Sequence, residues 1–175
     1  AQDVLEYMAK SAVEETGMGN YEDKLAKNKL AATKSPGIED LTTDAMSGDD
    51  GLTIVEYSPF GVIGAITPTT NPTETIICNS IGMLASGNAV VFSPHPRAKK
   101  PSLWLSQMLN KNLRKAGAPE YLITAVQEPS SETTSAMMKH PSVGMLVATG
   151  GPGIVKTVLQ SGKKAIGAGA GNPPA

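Results

Sequence analysis

Apolar and polar positions follow two different rhythms along this chain, and the change comes near residue 51. Before it the spacing is helical but loose. Val4, Met8 and Val13 form a stripe, Gly17 and Gly19 interrupt it, and YEDKLAKNKLAA resumes it until Ser35, Pro36 and Gly37. Residues 38–50 are polar and acidic, end in SGDDG, and predict a surface loop or linker. From residue 51 short apolar runs bounded by turn residues take over. GLTIVEYSP and GVIGAIT read as strands, the second with glycines that allow close backbone approach. A helix is predicted from about Thr73, with Ile77, Ile81 and Leu84 at i, i+4 and i+7, and Gly87 closing it. NAVVF is continuously apolar, as expected of a strand buried on both faces of a parallel sheet. A helix over 98–116 carries Leu105, Met108, Leu109 and Leu113 on one side and stops at Gly117. YLITAV then reads as a strand, SETTSAMMK as a short helix and VGMLVAT as a strand. A helix opened by Pro152 turns Ile154, Val155, Val158 and Leu159 inward, and KKAIGAG is the last strand.

From residue 61 the order is β-α-β-α-β-α-β-α-β. Strands alternating with helices predict an α/β fold with a doubly wound parallel sheet. The expected division is an N-terminal pair of helices with a linker over 1–50, and an α/β domain over 51–175. A chain of 175 residues is long enough for one domain with a sizeable core.

The bulk numbers exclude more than they assign. The formal net charge is −1, so there is no electrostatic footprint for nucleic acid. No apolar run approaches the roughly 20 residues that span a bilayer. AQDVLEYMAK lacks the basic-then-apolar order of a secretory signal, and the absence of a starting Met leads us to expect a beginning inside a longer chain. The single cysteine, Cys78, allows no internal disulfide, which fits a reducing cytoplasm. Glu132, Asp49 and Asp50 have no metal-ligand spacing with any partner, so no metal is expected.

Three segments place turn residues directly after a predicted strand, where open α/β sheets bind ligands. TPTTNP at 67–72 contains Asn71, whose amide can donate to a developing oxyanion. Asn before Pro is equally a common turn or helix N-cap. SPHPRAKK at 93–100 holds Ser93 and His95 between stiffening prolines. Its Arg97, Lys99 and Lys100 suit phosphates, or else simply begin a solvated helix. LVATGGPGIVK puts Thr149, Gly150 and Gly151 before a helix N-terminus, which presents free N–H groups and partial positive charge to an anion. The same glycines also serve a tight turn, and the segment is not a GxGxxG fingerprint. Cys78 and Trp104 read as helix packing residues and His140 as a surface residue.

TPTTNPTETI, GNAVVFSPHPRAKK, LVATGGPGIVK and AIGAGAGNPP resemble consecutive landmarks of the CoA-acylating aldehyde dehydrogenases, and AVEETGMGNYEDKLAKN resembles the same group. The likeness covers nearly the whole chain. Within the group it is most similar to the acetaldehyde and propionaldehyde enzymes of ethanolamine and propanediol breakdown. SPHPRAK and ATGGPG are also similar to the aldehyde dehydrogenase half of bifunctional aldehyde–alcohol dehydrogenases. A noncatalytic nucleotide-binding module on the same fold is the other alternative. The resemblance implies a Rossmann-like NAD-binding domain, with NAD as cofactor, CoA as co-substrate and a short aldehyde as substrate. It implies that Asn71 helps hold the thioester oxyanion and that Thr69 and Thr70 line the nicotinamide side. Ser93, Pro94 and His95 would face the adenosine end, Thr149, Gly150 and Gly151 the pyrophosphate, and Gly169 the nicotinamide. It further implies a homo-oligomer, with 51–57 in an oligomerisation hairpin that would be an exposed edge without its partners. The implied location is cytoplasmic, within a bacterial microcompartment.

Two departures from the wider superfamily are informative. The Glu that activates water in hydrolytic members falls at Ala168 here, so acyl transfer to CoA is expected rather than hydrolysis. The Lys and the ribose-binding Glu of the usual strand-end motif fall at Ser93 and Pro96, so the adenosine end must be held differently, which is compatible with NAD and CoA using the site in turn. The family nucleophile is a cysteine beyond the GAGAGNPP landmark. Cys78 does not align with it, and binding rather than catalysis is therefore expected of these residues.

Overall fold

A computed structural model describes residues 2–169. Two helices open the chain, α1 (Gln2–Thr16) and α2 (Tyr21–Lys34), separated at Gly17 and Gly19 as the pattern predicts. Asn20 caps α2 by accepting the Asp23 N–H at 2.9 Å. The face that α2 buries is not the apolar one. Lys24, Asn28 and Ala31 are buried, whereas Leu30 is exposed.

The acidic linker is more ordered than its composition implies. After a short 3₁₀ turn at Ile38–Asp40, β1 (Asp44–Gly48) pairs antiparallel with β2 (Gly51–Val55), Gly48 opposite Gly51. The expected loop over 38–50 is thus half of a hairpin turning at Asp49 and Asp50, and β2 has a strand partner in the same chain. Backbone pairing across a two-residue turn, not side-chain burial, makes β1 a strand: every residue of both strands is exposed.

The main sheet consists of five parallel strands, β3 (Val62–Thr67), β4 (Ala89–Pro94), β5 (Ile123–Ala125), β6 (Val143–Thr149) and β7 (Lys164–Ala168), in the order β5-β4-β3-β6-β7. The connecting helices are α3 (Pro72–Ala85), α4 (Lys99–Lys115), α5 (Ser131–Lys139) and α6 (Pro152–Leu159). The strand at 121–126 is shorter than expected. Alternate residues of each strand serve two cores. Ile63, Ala65, Val90, Phe92 and Met145 join Met8, Ile76 and Leu105 from the first four helices. Ile66, Leu146 and Ala148 join Met137, Met138 and Val158 from the last two. This two-sided burial is why NAVVF and VGMLVAT are apolar without alternation. Gly64 lets the second layer close down, since a Cβ there would lie 3.0 Å from Leu146 and 3.3 Å from Met137. Leu159 departs from the pattern: it is exposed, because β7 ends the sheet beside it.

Asn88, directly before β4, brackets the residues that lead into β3. It is 4% exposed, its Oδ1 accepts the N–H groups of Phe60 (2.6 Å) and Gly61 (3.1 Å), and its Nδ2 donates to the Met83 carbonyl at 3.2 Å. Asn88→Ala leaves the Phe60 and Gly61 N–H groups without their acceptor, while the Met83 carbonyl keeps the backbone N–H of residue 88, and is expected to lower unfolding free energy by about 1–3 kcal/mol. Urea unfolding checks this, and an unchanged midpoint at unchanged slope would refute the bracket role.

Candidate functional site

The strand order reverses at β3. The next strand, β4, lies on one side of it and β6 on the other. At such a switch point the loops leaving the carboxyl ends diverge and open a crevice. Here a cleft of about 920 Å³ lies there, walled by the segments that follow β3, β4, β6 and β7. Every site residue that the family resemblance implies lines it: Thr69, Thr70 and Asn71 after β3, Ser93, Pro94 and His95 at the end of β4, Thr149, Gly150 and Gly151 at the end of β6, and Gly169 after β7, whereas Arg97, Lys99 and Lys100 do not. The landmark containing Gly169 continues through 170–175, which lie outside the described residues.

Asn71 sits at the N-cap position of α3 but does not cap it: its side chain accepts no helix N–H. Its Oδ1 is instead 3.4 Å from the Lys27 Nζ donor, and the amide NH2 has no partner among the described residues. Thr75 bonds the Asn71 carbonyl through both N–H (3.1 Å) and Oγ1 (2.6 Å). Of the two readings of Asn71, a turn-and-cap residue or a donor, the helix end therefore uses only the backbone.

The helix starts differ in a way that matters for anions. At α5, Ser130 and Thr133 form a reciprocal capping box, with Ser130 Oγ accepting the Thr133 N–H at 3.1 Å. At α6 no side chain caps the helix. Its N1 residue, Pro152, has no N–H, and the N–H groups of Gly153 and Ile154 have no acceptor among the described residues. Gly150 is occupied, donating to the Ala168 carbonyl at 3.1 Å. Gly151, the N-cap residue, has φ −68° and ψ 163°, a conformation any residue adopts, and a Cβ there would meet nothing of the chain within 4 Å. Packing among the described residues thus gives no reason for glycine at 151.

The β4 end is built around Ser93, which is 1% exposed and bonded to Thr134 Oγ1 at 2.8 Å, tying the loop to α5. His95 is exposed and accepts the Arg97 N–H at Nδ1, capping the 3₁₀ turn Pro96–Ala98. Two of the three cations of this segment, Arg97 and Lys99, are engaged within the protein. Arg97 donates to the Thr16 carbonyl at 3.1 Å, and Lys99 pairs with Glu128 at 2.6 Å. The Lys100 N–H is capped by Glu15 at 2.8 Å. Arg97 and Glu15 dock the end of α1 onto the start of α4, so the basic run is mostly structural.

The wall from Ser130, Ser131, Thr134 and Ser135 was missing from the sequence reading. It follows β5, and the rule that located the other loops applies to it as well. Cys78 is exposed on α3, accepts from Ser35 Oγ at 3.0 Å, and is not among the residues that line the cleft. Trp104 packs against Tyr7, ring centroids 4.3 Å apart. Among the described residues there is no group of three or more His, Cys, Asp or Glu placed to hold a metal, and no helix is long and apolar enough to cross a membrane.

Residues 9–169 match the aldehyde dehydrogenase family. A propanal dehydrogenase (CoA-propanoylating) of Salmonella typhimurium is 56% identical over 167 residues, 95% of this chain and 36% of that protein. The crystal structure of Rhodopseudomonas palustris propionaldehyde dehydrogenase with bound propionyl-CoA superposes with a TM-score of 0.95 at 73% identity, covering 99% of this chain and 38% of the other. An engineered glycolyl-CoA reductase with bound NADP+ superposes with the same TM-score at 72% identity, covering 99% and 39%. The chain spans little more than a third of the length of these relatives, and it belongs to the aldehyde dehydrogenase family.

Proposed function

We propose that this member of the aldehyde dehydrogenase family is the nucleotide-binding part of a CoA-acylating enzyme that oxidises a short aldehyde to an acyl-CoA with NAD as hydride acceptor. The observation that carries the reading is the convergence of four strand-end segments on one cleft that contains an uncapped helix start and an unfilled glycine cradle. Relatives 73% and 72% identical hold propionyl-CoA and NADP+ respectively, which supports both classes of ligand for this family member.

In this reading Gly151 lets a diphosphate lie against the start of α6, where the N–H groups of Gly153 and Ile154 and the helix dipole meet its charge. Ser93, Pro94 and His95 bound the adenosine end, and Thr69, Thr70 and Gly169 the nicotinamide end. When bound, the dinucleotide supplies a hydride acceptor. The unpartnered NH2 of Asn71 donates to the substrate carbonyl oxygen as negative charge builds there, at a position prepared before the reaction. Ala168 presents no carboxylate to activate water, which favours release of the acyl group to a thiol. Cys78 stands outside the cleft, so the nucleophile of the proposed reaction is not one of these 175 residues.

Calorimetric titration of the chain with NAD, NADP and CoA tests the reading. Saturable NAD binding competed by CoA is expected. A demonstrably folded sample that binds none of the three would overturn it.

Self-association belongs to the same reading. The hairpin of β1 and β2 exposes Met46, Leu52 and Ile54 by more than half, and an apolar hairpin of this kind seeks a partner strand or surface. Sedimentation velocity is expected to show dimers or larger species, and a clean monomer across concentrations counts against it.

A further inference from the structure

Lys24 is a buried cation whose partners all lie around the residue that the proposed reaction needs. It is 2% exposed. Its Nζ donates to the Thr70 carbonyl and forms an ion pair with Glu74 Oε1 at 3.4 Å. Glu74 is itself 7% exposed, and its second oxygen accepts from Thr73 Oγ1 at 3.2 Å. Thr70 immediately precedes Asn71, and Glu74 is the third residue after it. One ammonium from α2 thus clamps the chain on both sides of Asn71. One turn further along α2, Lys27 Nζ lies 3.4 Å from Asn71 Oδ1 and occupies the acceptor end of the amide.

We infer that α2 is the positioning element for the Asn71 amide, with Lys24 holding its backbone and Lys27 setting which way the amide faces. The inference rests on the reading of Asn71 as the donor to the substrate oxygen. Burying a lysine–glutamate pair is a poor way to stabilise a helix contact, since apolar residues of similar volume do as well or better. What an apolar pair does not supply is a donor to the Thr70 carbonyl. Lys24 directs a hydrogen bond to that backbone oxygen, where a purely interhelical pair would stop at the carboxylate. With the Lys27 ammonium on Oδ1, an amide flip would bring two donor groups together, so NH2 remains the free end.

The test uses isotopically labelled chain and follows the Thr70 carbonyl and the Asn71 side-chain amide resonances. The double variant Lys24→Met with Glu74→Leu removes both charges and leaves no buried ion unpaired. It is expected to melt close to the wild type while both resonances move. Lys27→Met, at an exposed position, is expected to move the Asn71 amide resonance alone, and Lys27→Arg to restore it. An Asn71 amide at its wild-type position in both Lys24→Met/Glu74→Leu and Lys27→Met overturns the inference. If the double variant does not fold, the Lys27 variants decide by the same criterion. Nucleotide titration of the wild-type chain separates the two levels. Absence of binding removes the functional reading and the positioning role with it, whereas binding with an unmoved Asn71 resonance removes only the role of α2.

Discussion

Replacing Lys24 alone with methionine is expected to lower unfolding free energy by about 3–5 kcal/mol, the range for leaving one member of a buried ion pair uncompensated. Methionine reproduces the length of the stem but not the charge. Glu74, 7% exposed, would keep only the Thr73 hydroxyl, and the Thr70 carbonyl would lose its donor. At roughly 2–4 °C per kcal/mol for a chain of this size, the melting temperature should fall by at least about 6 °C. Urea unfolding of the single variants and of the double variant with Glu74→Leu completes the cycle. The double variant should recover most of the loss, because the penalty comes from the orphaned charge rather than from a missing attraction. A loss below about 1 kcal/mol for Lys24→Met would mean that water reaches Glu74 readily and that the pair is not the buried clamp described above.

Gly151→Val is expected to weaken nucleotide binding by about 30- to 1000-fold, equivalent to about 2–4 kcal/mol, under the functional reading proposed here. The wild-type Cβ position is empty, so the valine methyls enter the cleft and not the protein interior. They occupy the volume through which a phosphate reaches the Gly153 and Ile154 N–H groups, and each charge-assisted bond lost is worth about 1.5–3 kcal/mol. The backbone at 151 suits valine, and the cost to the fold is limited to a poorer N-cap, about 1 kcal/mol or less. Calorimetry paired with a thermal melt distinguishes the cases. Lost binding with a nearly unchanged melt supports the phosphate cradle. Unchanged affinity would show that the nucleotide phosphates lie elsewhere, and a collapsed melt would show that glycine was required by packing after all.

Where sequence reading succeeded and failed follows one physical division. The five strands and four crossover helices of the sheet were legible, because burial on two faces forces uninterrupted apolar runs and tight turns force glycine and proline at their ends. The loops lining the cleft were legible for the same reason, since they sit at carboxyl ends of those strands. The wall from α5 obeyed the same rule and was missed because PSSETT carries hydroxyls and a Glu instead of glycines or basic residues. Helix α2 was misread in its details. Its apolar stripe suggested which face turns inward, yet Leu30 is exposed and Lys24 and Asn28 are buried. The partner that makes a lysine acceptable inside, Glu74, is 50 residues away in sequence, and no local pattern can announce it. The basic run at 97–100 left two readings open in sequence, and the partners of Arg97 on α1 and of Lys99 at Glu128 lie far from it along the chain. The strand Asp44–Gly48 has no buried face to leave a period-two trace and exists through pairing with β2.

By itself the sequence determined the α/β class, the order of its elements, the positions of the turns that line the cleft and, through motif likeness, the family. These depend on local spacing and on the sterics of single residues. Tertiary structure alone decided that the separate turns form one cleft, that Asn71 keeps its amide free of the helix it begins, that α6 has no side-chain cap while α5 is capped, and that a buried lysine holds the turn between β3 and α3. Each of these depends on groups brought together across tens of residues, and the energy of a charge or a hydrogen bond is set by what surrounds it rather than by what precedes it in the chain.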